Sequence, residues 1–263
     1  MLLCASIGLL VLASAGGAAS RVGVGKMTVT PARVIAGSTN ELSFTFLADS
    51  AALRGTTLVD VPRGWSKPQQ TNSSAPGYVE LQPSGCAGTR IAGIAARRIV
   101  ITTKCPRRHF FRLLYHRAIA PLLAADGYVF LTQTRPSNAR KKTPFKPLGP
   151  RRQPVVRVRG TAASGLFMTV TSFATAGVPF AATVRVVDPF GNNAADYTGT
   201  VTFTSTDSAA TLPATYAYGP TDASQHTFTG IVLRTPGTQR IRATDSHGFT
   251  VESGPITVSP FSS

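Results

Sequence analysis

Residues 176–203 read AGVPFAATVRVVDPFGNNAADYTGTVTF, and their pattern predicts the fold of the carboxy-terminal part of the chain. Between Phe180 and Val186 every second residue is apolar, which is the period of a strand with one buried face. The segment DPFGN at 188–192 consists of turn-forming residues and an aromatic ring, and the alternation resumes at 201–203. The stretch therefore predicts a strand, a turn and a second strand.

The residues that follow repeat this pattern. Apolar runs recur at 227–233, 239–244 and 256–258, so about seven strands fit into about 100 residues. That number and that size are typical of an immunoglobulin-like β-sandwich. Residues 161–263 contain neither Cys nor Lys. Burial between two sheets must therefore hold this predicted domain together, because neither a disulfide nor a Lys-based isopeptide cross-link can form within it.

The same region resembles bacterial immunoglobulin-like repeats, over about residues 165–260. The resemblance is carried by 176–180 (AGVPF), 186–192 (VVDPFGN) and 197–201 (YTGTV). Such repeats belong to exported and cell-surface proteins, so the resemblance implies an exported protein with a structural or interaction role. Further matching elements are 204–207 (TSTD), 212–214 (LPA), 226–228 (HTF) and 235–238 (TPGT).

A second sandwich is predicted for residues 21–134. Leu42, Phe44 and Phe46 alternate with polar residues, and further short apolar runs are separated by Gly and Pro. This half has a less extensive resemblance to a β-rich module of exported bacterial proteins. The matching elements are 36–38 (AGS), 42–46 (LSFTF), 61–66 (VPRGWS) and 76–79 (PGYV).

Residues 1–20 have the composition of a signal peptide, with an apolar run followed by small residues. The run is shorter than the roughly 20 apolar residues that a membrane-spanning helix needs. No Lys or Arg precedes it, so an apolar first strand is the alternative. We predict an exported protein located outside the cell or at its surface, without a membrane span in the mature chain.

Cys86 and Cys105 are the cysteines that remain once Cys4 is removed with the predicted signal peptide. In an exported protein such a pair predicts a disulfide. A metal site is the competing interpretation, but the sequence lacks two further ligands at suitable spacing.

Charge is distributed unevenly along the chain, whose net charge is +16. Residues 21–134 hold 14 Lys and Arg against 5 Asp and Glu, and residues 135–159 hold 9 Lys and Arg with no acidic residue. The remaining residues hold 4 Arg against 6 acidic residues. Proline recurs throughout 135–160, and proline combined with mutually repelling charges favours an extended connection. We therefore predict a basic, Pro-rich linker there.

This positive charge predicts an anionic partner such as a cell-wall or phosphate-rich polymer. Nucleic acid is not favoured, because the linker offers Phe145 alone as a stacking surface for bases. A solvated arginine-rich surface without a dedicated ligand is the alternative. The candidate polyanion-binding residues are Arg97, Arg98, Lys104, Arg107, Arg108, Arg112, Arg140, Lys141, Lys142, Arg151 and Arg152.

The sequence indicates no catalytic residue, metal site or cofactor. None of the four histidines stands in metal-binding or triad spacing, and no nucleophile elbow, zinc helix or phosphate loop is present. Aspartates in the second half are interpreted as turn formers rather than as calcium ligands. They are Asp188, Asp196, Asp207, Asp222 and Asp245.

The combined prediction is an all-β, non-enzymatic protein of two immunoglobulin-like sandwiches joined by a basic linker. It would act as a structural or adhesion module toward an extracellular or cell-surface protein or polysaccharide. Two alternatives remain: a binder of anionic polymers through the first domain and linker, and an accessory module of a secreted enzyme.

Overall fold

The computed structural model of the protein describes residues 22–138 and 143–261. The predicted signal peptide and the predicted binding residues Arg140, Lys141 and Lys142 lie outside this part of the chain. The described residues form strands and two short 3-10 turns. They contain no helix that is long and apolar enough to cross a membrane.

The first domain contains twelve of the described strands and a turn at Pro150–Arg152. The strands are β1 (Lys26–Thr30), β2 (Arg33–Ile35), β3 (Thr39–Leu47), β4 (Leu53–Asp60), β5 (Tyr78–Gln82), β6 (Arg90–Ala95), β7 (Arg98–Cys105), β8 (Phe110–Ile119), β9 (Ala125–Val129), β10 (Leu131–Pro136), β11 (Lys146–Pro147) and β12 (Val155–Arg159).

The second domain contains the other ten described strands and a turn at Pro220–Asp222. The strands are β13 (Gly165–Val170), β14 (Phe173–Thr175), β15 (Phe180–Val187), β16 (Thr200–Ser205), β17 (Tyr216–Ala217), β18 (Gln225–Ile231), β19 (Gly237–Gln239), β20 (Ile241–Asp245), β21 (Thr250–Glu252) and β22 (Ile256–Ser259).

Each domain packs two layers of strands face to face. In the first domain the smaller sheet has the order β1-β3-β8-β5, and the larger sheet has the order β11-β10-β4-β7-β6. The chain passes from β9 into β10 through buried Phe130, and this connection adds the group β2-β12-β9 to the larger layer. The second domain consists of β13-β15-β18, β17-β16-β20-β21 and β14-β22-β19.

Both domains start in the same way. The first strand pairs antiparallel with the following long strand, as β1 does with β3 and β13 with β15. The next short strand then crosses over and pairs parallel with the last strand of its domain, as β2 does with β12 and β14 with β22. Two facing, mostly antiparallel sheets of this kind make the fold all-β and immunoglobulin-like, as the sequence predicts.

Aromatic rings fill the centre of the first domain. Phe130 contacts Phe44 and Trp65, with ring centroids 4.7 and 5.2 Å apart respectively. In the second domain Phe203 and Phe228 pack at 4.7 Å at one end, while Ile231 and its neighbours form a second cluster at the other end. Phe44, Phe203 and Phe228 come from strand positions, whereas Trp65 and Phe130 lie in connections between strands.

The described residues between 135 and 160 differ from the extended linker that the sequence predicts. Lys146–Pro147 pairs with β10, and Val155–Arg159 pairs with both β2 and β9. Val156 and Val158 are buried in the first domain's core. The charge is compatible with a strand because the arginines of β12 occupy the alternate, solvent-facing positions. This stretch is therefore part of the first sandwich.

Candidate functional site

The predicted disulfide is present: Cys86 and Cys105 are bonded to each other. Cys105 ends β7 and Cys86 lies in the loop before β6, and both are buried. The loop that they close spans 19 residues, for which the chain-entropy relation gives about 3 kcal/mol of stabilisation. The bond fixes the β5–β6 loop at one end of the larger sheet.

The predicted cations do not form one patch. Arg97 is engaged inside the first domain, where its guanidinium donates hydrogen bonds to the carbonyl oxygens of Val61 and Pro62 at 3.0 and 2.6 Å. It also donates to the carbonyls of Trp65 and Ser66 at 2.6 and 3.3 Å. Arg97 therefore holds the 61–66 loop and is not free to bind a ligand.

Two further predicted cations are paired with carboxylates. Arg98 makes a bidentate contact with Asp60 at 2.6 and 2.9 Å, and this hydrogen-bonded partner raises the pKa of Arg98. Arg152 makes a similar contact with both carboxylate oxygens of Asp49, at 3.1 and 2.9 Å. Each carboxylate thereby neutralises part of the positive charge of the arginine that it contacts.

The remaining described candidates point in different directions. Arg107 and Arg108 are exposed in the turn between β7 and β8, and Arg151 is exposed in the turn before β12. Arg112 projects from the outer face of the smaller sheet, over the ring of Phe110 at 5.0 Å. Lys104 is the one predicted cation on the larger sheet that stands beside other unpaired cations in the described structure.

Strand register reveals a cluster that sequence reasoning missed. Arg54 on β4 lies directly opposite Lys104 on β7. The next row of the same face runs across four strands. It begins with Arg135 on β10, continues through Thr56 on β4 and Thr102 on β7, and ends with Arg90 on β6. We call Arg54, Arg90, Lys104 and Arg135 the cationic sheet face. These residues are scattered in sequence, and only their alternation with inward-facing apolar neighbours could have indicated a shared face.

None of these four cations has a carboxylate partner among the described residues. The guanidinium of Arg135 instead lies over the ring of Phe145, at 4.2 Å from its centroid. Asp60, the carboxylate on β4, lies at the opposite end of that strand and is bound by Arg98. The cationic sheet face is thus a concentrated and uncompensated positive surface.

A second feature is the junction between the domains. The amide of Asn192 accepts a hydrogen bond from the Ala124 amide N–H and donates one to the Leu122 carbonyl, both at 2.8 Å. Asn192 is buried, and it also donates to the Asp188 carboxylate at 2.9 Å. A loop of the second domain is therefore fastened to a loop of the first.

Asp188 continues this network toward the connecting chain. Its carboxylate accepts hydrogen bonds from the backbone N–H groups of Thr161, Phe190 and Asn192, each at 2.9 Å. Burial alone would raise the pKa of Asp188, but these bonds and the Asn192 amide outweigh it and lower the pKa. Gly160 is buried beside the loop, where a Cβ atom would overlap the carbonyl oxygen of Asn193.

An open cleft of about 420 Å³ lies beside this junction and is lined by both domains. Arg159 and Asp196 form an ion pair at the wall of this cleft, with 2.6 Å between Arg159 Nη2 and Asp196 Oδ1. Within the described residues, no group of three or more His, Cys, Asp or Glu side chains could hold a metal ion, here or elsewhere.

Three aspartates of the second domain act as the turn formers that the sequence predicts. Asp207 accepts hydrogen bonds from the backbone N–H groups of Ala209, Arg234 and Thr235. Asp188 organises its own loop in the same way, and Asp245 accepts from the two N–H groups at positions 247 and 249. Each carboxylate also accepts a hydrogen bond from a side chain: Asp188 from Asn192, Asp207 from Thr235 and Asp245 from Tyr197.

The histidines lie apart from one another. His116 contacts Glu41 and Glu80 at 2.6 and 3.5 Å on the outer face of the smaller sheet. His226 stacks on Tyr216, with centroids 3.8 Å apart. His116 thus contacts residues of the adjacent strands β3 and β5, whereas His226 on β18 contacts a ring on β17, which belongs to another sheet.

No known protein family matches this chain, and no curated protein matches it in sequence. Among solved structures, similarity is found to an ICAM-5 D1–D4 ectodomain fragment at 16% identity and a TM-score of 0.28, covering 90% of this chain and 51% of that one. A marsupial T cell receptor gives 11% identity and a TM-score of 0.28, with 93% and 74% covered.

Bacteroides uniformis beta-glucuronidase 3 gives 11% identity and a TM-score of 0.30, with 89% of this chain and 25% of that chain covered. This chain thus spans about half of the ICAM-5 fragment and a quarter of the glucuronidase. The immunoglobulin-like class rests on the strand pairing described above.

Proposed function

We propose that this protein is an exported, non-enzymatic structural and adhesion module that acts outside the cell or at its surface. The observation that carries the proposal is the hydrogen-bonded junction, which holds two sandwiches together without a free linker. Such a connection allows a spacer or an adhesion module to present its binding surfaces at a fixed distance and orientation.

The connection between the domains is short and bound along its length. Five residues separate β12 from β13, and the backbone N–H groups of Thr161 and Ser164 donate to the Asp188 carboxylate and the Val187 carbonyl. The carbonyl of Thr161 accepts from Ala195. Backbone groups that are already paired in this way oppose bending at the connection.

The pairing of the end strands supports a mechanical role. In each domain a strand near the beginning runs parallel to the last strand, β2 beside β12 and β14 beside β22. Tension applied to the two ends of such a domain pulls these strands along each other in opposite directions. The hydrogen bonds between them are then loaded together and not one after another, which slows forced unfolding.

The junction is tested by small-angle X-ray scattering on wild type, Asn192→Ala and Asn193→Ala. Loss of Asn192 removes both hydrogen bonds to the first domain, so we expect a larger maximum dimension and scattering typical of two mobile domains. Asn193 is the matched control, because its side chain bonds Arg185 and Ala223 within the second domain. Identical scattering from all three proteins would contradict the rigid module.

Export is tested separately by cell fractionation and by determining the amino terminus of the mature protein. The proposal predicts material outside the cytoplasm that has lost the predicted signal peptide. Unprocessed protein confined to the cytoplasm would refute the exported role, whatever the junction does.

A further inference from the structure

We propose that the cationic sheet face binds a linear polymer of phosphate groups that carries no bases. This goes beyond the structural role proposed above and assigns a ligand to residues that the sequence did not bring together. The face is defined by Arg54, Arg90, Lys104 and Arg135 on four adjacent strands of the first domain.

Like charges stand opposite each other at the centre of this face. Arg54 and Lys104 form a cross-strand pair, and such pairs place their Cβ atoms about 4.5–5.5 Å apart. Two cations in this arrangement destabilise a sheet. Both side chains are exposed, so packing does not require a cation at either position. A bound anion would convert the repulsion into attraction.

The dimensions of the face favour a polymer over a compact anion. Strands are about 4.8 Å apart, so the row from Arg135 to Arg90 extends about 14 Å across three strand spacings. The Arg54–Lys104 pair lies about 7 Å away along the strands, two residues from that row. A small anion would reach one or two of these cations, whereas an extended chain with repeated charges reaches all of them.

The chemistry of the face favours phosphate. Three of the four cations are arginines, whose planar forks bind phosphate oxygens in pairs. The hydroxyl groups of Thr56 and Thr102 lie between the outer arginines of the row and add donors for the same oxygens.

Bases would find no stacking surface on the described part of the face. Phe145 is the aromatic ring beside it, and the guanidinium of Arg135 lies over that ring at 4.2 Å. Binding of single-stranded nucleic acid depends on exposed aromatic platforms in addition to charge. The structure therefore favours a polyphosphate-like chain over a single-stranded nucleic acid.

The test titrates the full chain with long-chain inorganic polyphosphate over a series of salt concentrations. Four contacts should make the logarithm of the association constant fall with the logarithm of salt with a slope of about −3, at about 0.7 per phosphate contact. Oligo-dT and polyglutamate of equal charge are titrated in parallel.

Arg54→Thr is the diagnostic variant and Arg112→Thr the matched control. Both remove one exposed strand arginine and change the net charge equally, but Arg112 lies on the opposite sheet. Arg54→Thr should weaken polyphosphate binding about three- to tenfold and reduce the slope by about 0.7. Its thermal midpoint should not fall, because the repulsion from Lys104 is relieved and Thr favours strands.

Arg112→Thr should bind polyphosphate within twofold of wild type. Equal losses from the two variants would show that net charge alone governs binding and would overturn the proposal. No salt-dependent binding of polyphosphate, or equal or tighter binding of oligo-dT or polyglutamate, would also overturn it. If Arg54→Thr does not fold, Arg90→Gln on the edge strand β6 provides the same comparison.

Discussion

The two sandwiches share a plan but stabilise their loops with groups of opposite charge. In the first domain, the guanidinium of Arg97 donates to the carbonyls of the 61–66 loop. In the second, the carboxylate of Asp207 accepts hydrogen bonds from backbone N–H groups of two loops, one containing Ala209 and the other containing Arg234 and Thr235. Loop carbonyls are paired by a cation in the first domain, and loop N–H groups are paired by a carboxylate in the second. This accounts for part of the charge difference between the domains.

A second difference concerns covalent support. The first domain has a disulfide at one end of its larger sheet, while residues 161–263 contain no cysteine. The domains should therefore respond to different conditions: the first to reducing agents, and the second to acid. Each of the following experiments measures one side of that comparison.

The largest effect is expected from reduction of the disulfide. Dithiothreitol, or Cys86→Ala combined with Cys105→Ala, should destabilise the first domain by about 3 kcal/mol because the unfolded chain gains the freedom of the open loop. The sole Trp of the sequence, Trp65, is buried in the first domain, so its fluorescence during urea unfolding reports that domain alone.

Hydrogen exchange in β16 and β20 reports the second domain in the same samples. Protection of these strands should not change upon reduction. A parallel loss in both domains would show that they unfold as one unit, and it would remove the basis of the comparison.

The next effect is expected from Arg97→Ala. The change leaves up to four carbonyl oxygens without their charged donor, and hydrogen bonds to charged groups contribute about 1.5–3 kcal/mol. We expect the first domain to lose about 2–3 kcal/mol in urea unfolding followed by Trp65 fluorescence.

Arg98→Ala is the neighbouring control. Its ion pair with Asp60 is exposed, and such pairs contribute at most about 1 kcal/mol. If Arg98→Ala proves as damaging as Arg97→Ala, the interpretation of Arg97 as the clamp of the 61–66 loop is wrong.

The smallest effect is expected from acid acting on Asp207. Burial raises the pKa of Asp207, but hydrogen bonds from Thr235, Arg234 and Ala209 outweigh it and leave a pKa of about 2. Because the folded pKa lies below the unfolded value, the stabilisation is present above about pH 4 and is lost as the pH falls toward 2. The loss should be about 1–2 kcal/mol in the second domain.

Asp207→Asn should reduce the stability of the second domain at neutral pH and shrink its acid-dependent loss. Asp196→Asn is the control, because that exposed carboxylate contacts Arg159 and does not pair a loop backbone. Hydrogen exchange in β16 and β20 between pH 5 and pH 2.5 measures both variants. An unchanged pH profile for Asp207→Asn would count against the role assigned to Asp207.

The strands of the second domain were predictable because buried apolar residues alternate with more exposed residues along them. Phe180 to Val186 and the run at 201–203 lie within β15 and β16, and the turn formers at 188–192 form the loop between them. The disulfide was predictable because only two cysteines follow the predicted signal peptide. The strands are indicated by neighbouring residues, and the disulfide is indicated by the number of cysteines.

The error at 135–160 and the missed cations have a common cause. Charge and proline content describe only composition, whereas the sequence VVRVR at 155–159 buries two valines and exposes two arginines. The alignment of Arg54 with Lys104, and of Arg135 with Arg90, depends on the register of four strands. Register is set by long-range pairing, which a single sequence does not display.

The repulsion between Arg54 and Lys104 also affects how neighbouring molecules meet. Stacking of two copies through their broad sheets at this face is disfavoured unless an anion lies between them, because each would bring the same positive charge into contact. Molecules crowded on a surface would keep apart along this side and meet through other faces. A single anionic chain threaded between two copies would reverse that preference and act as a cross-link.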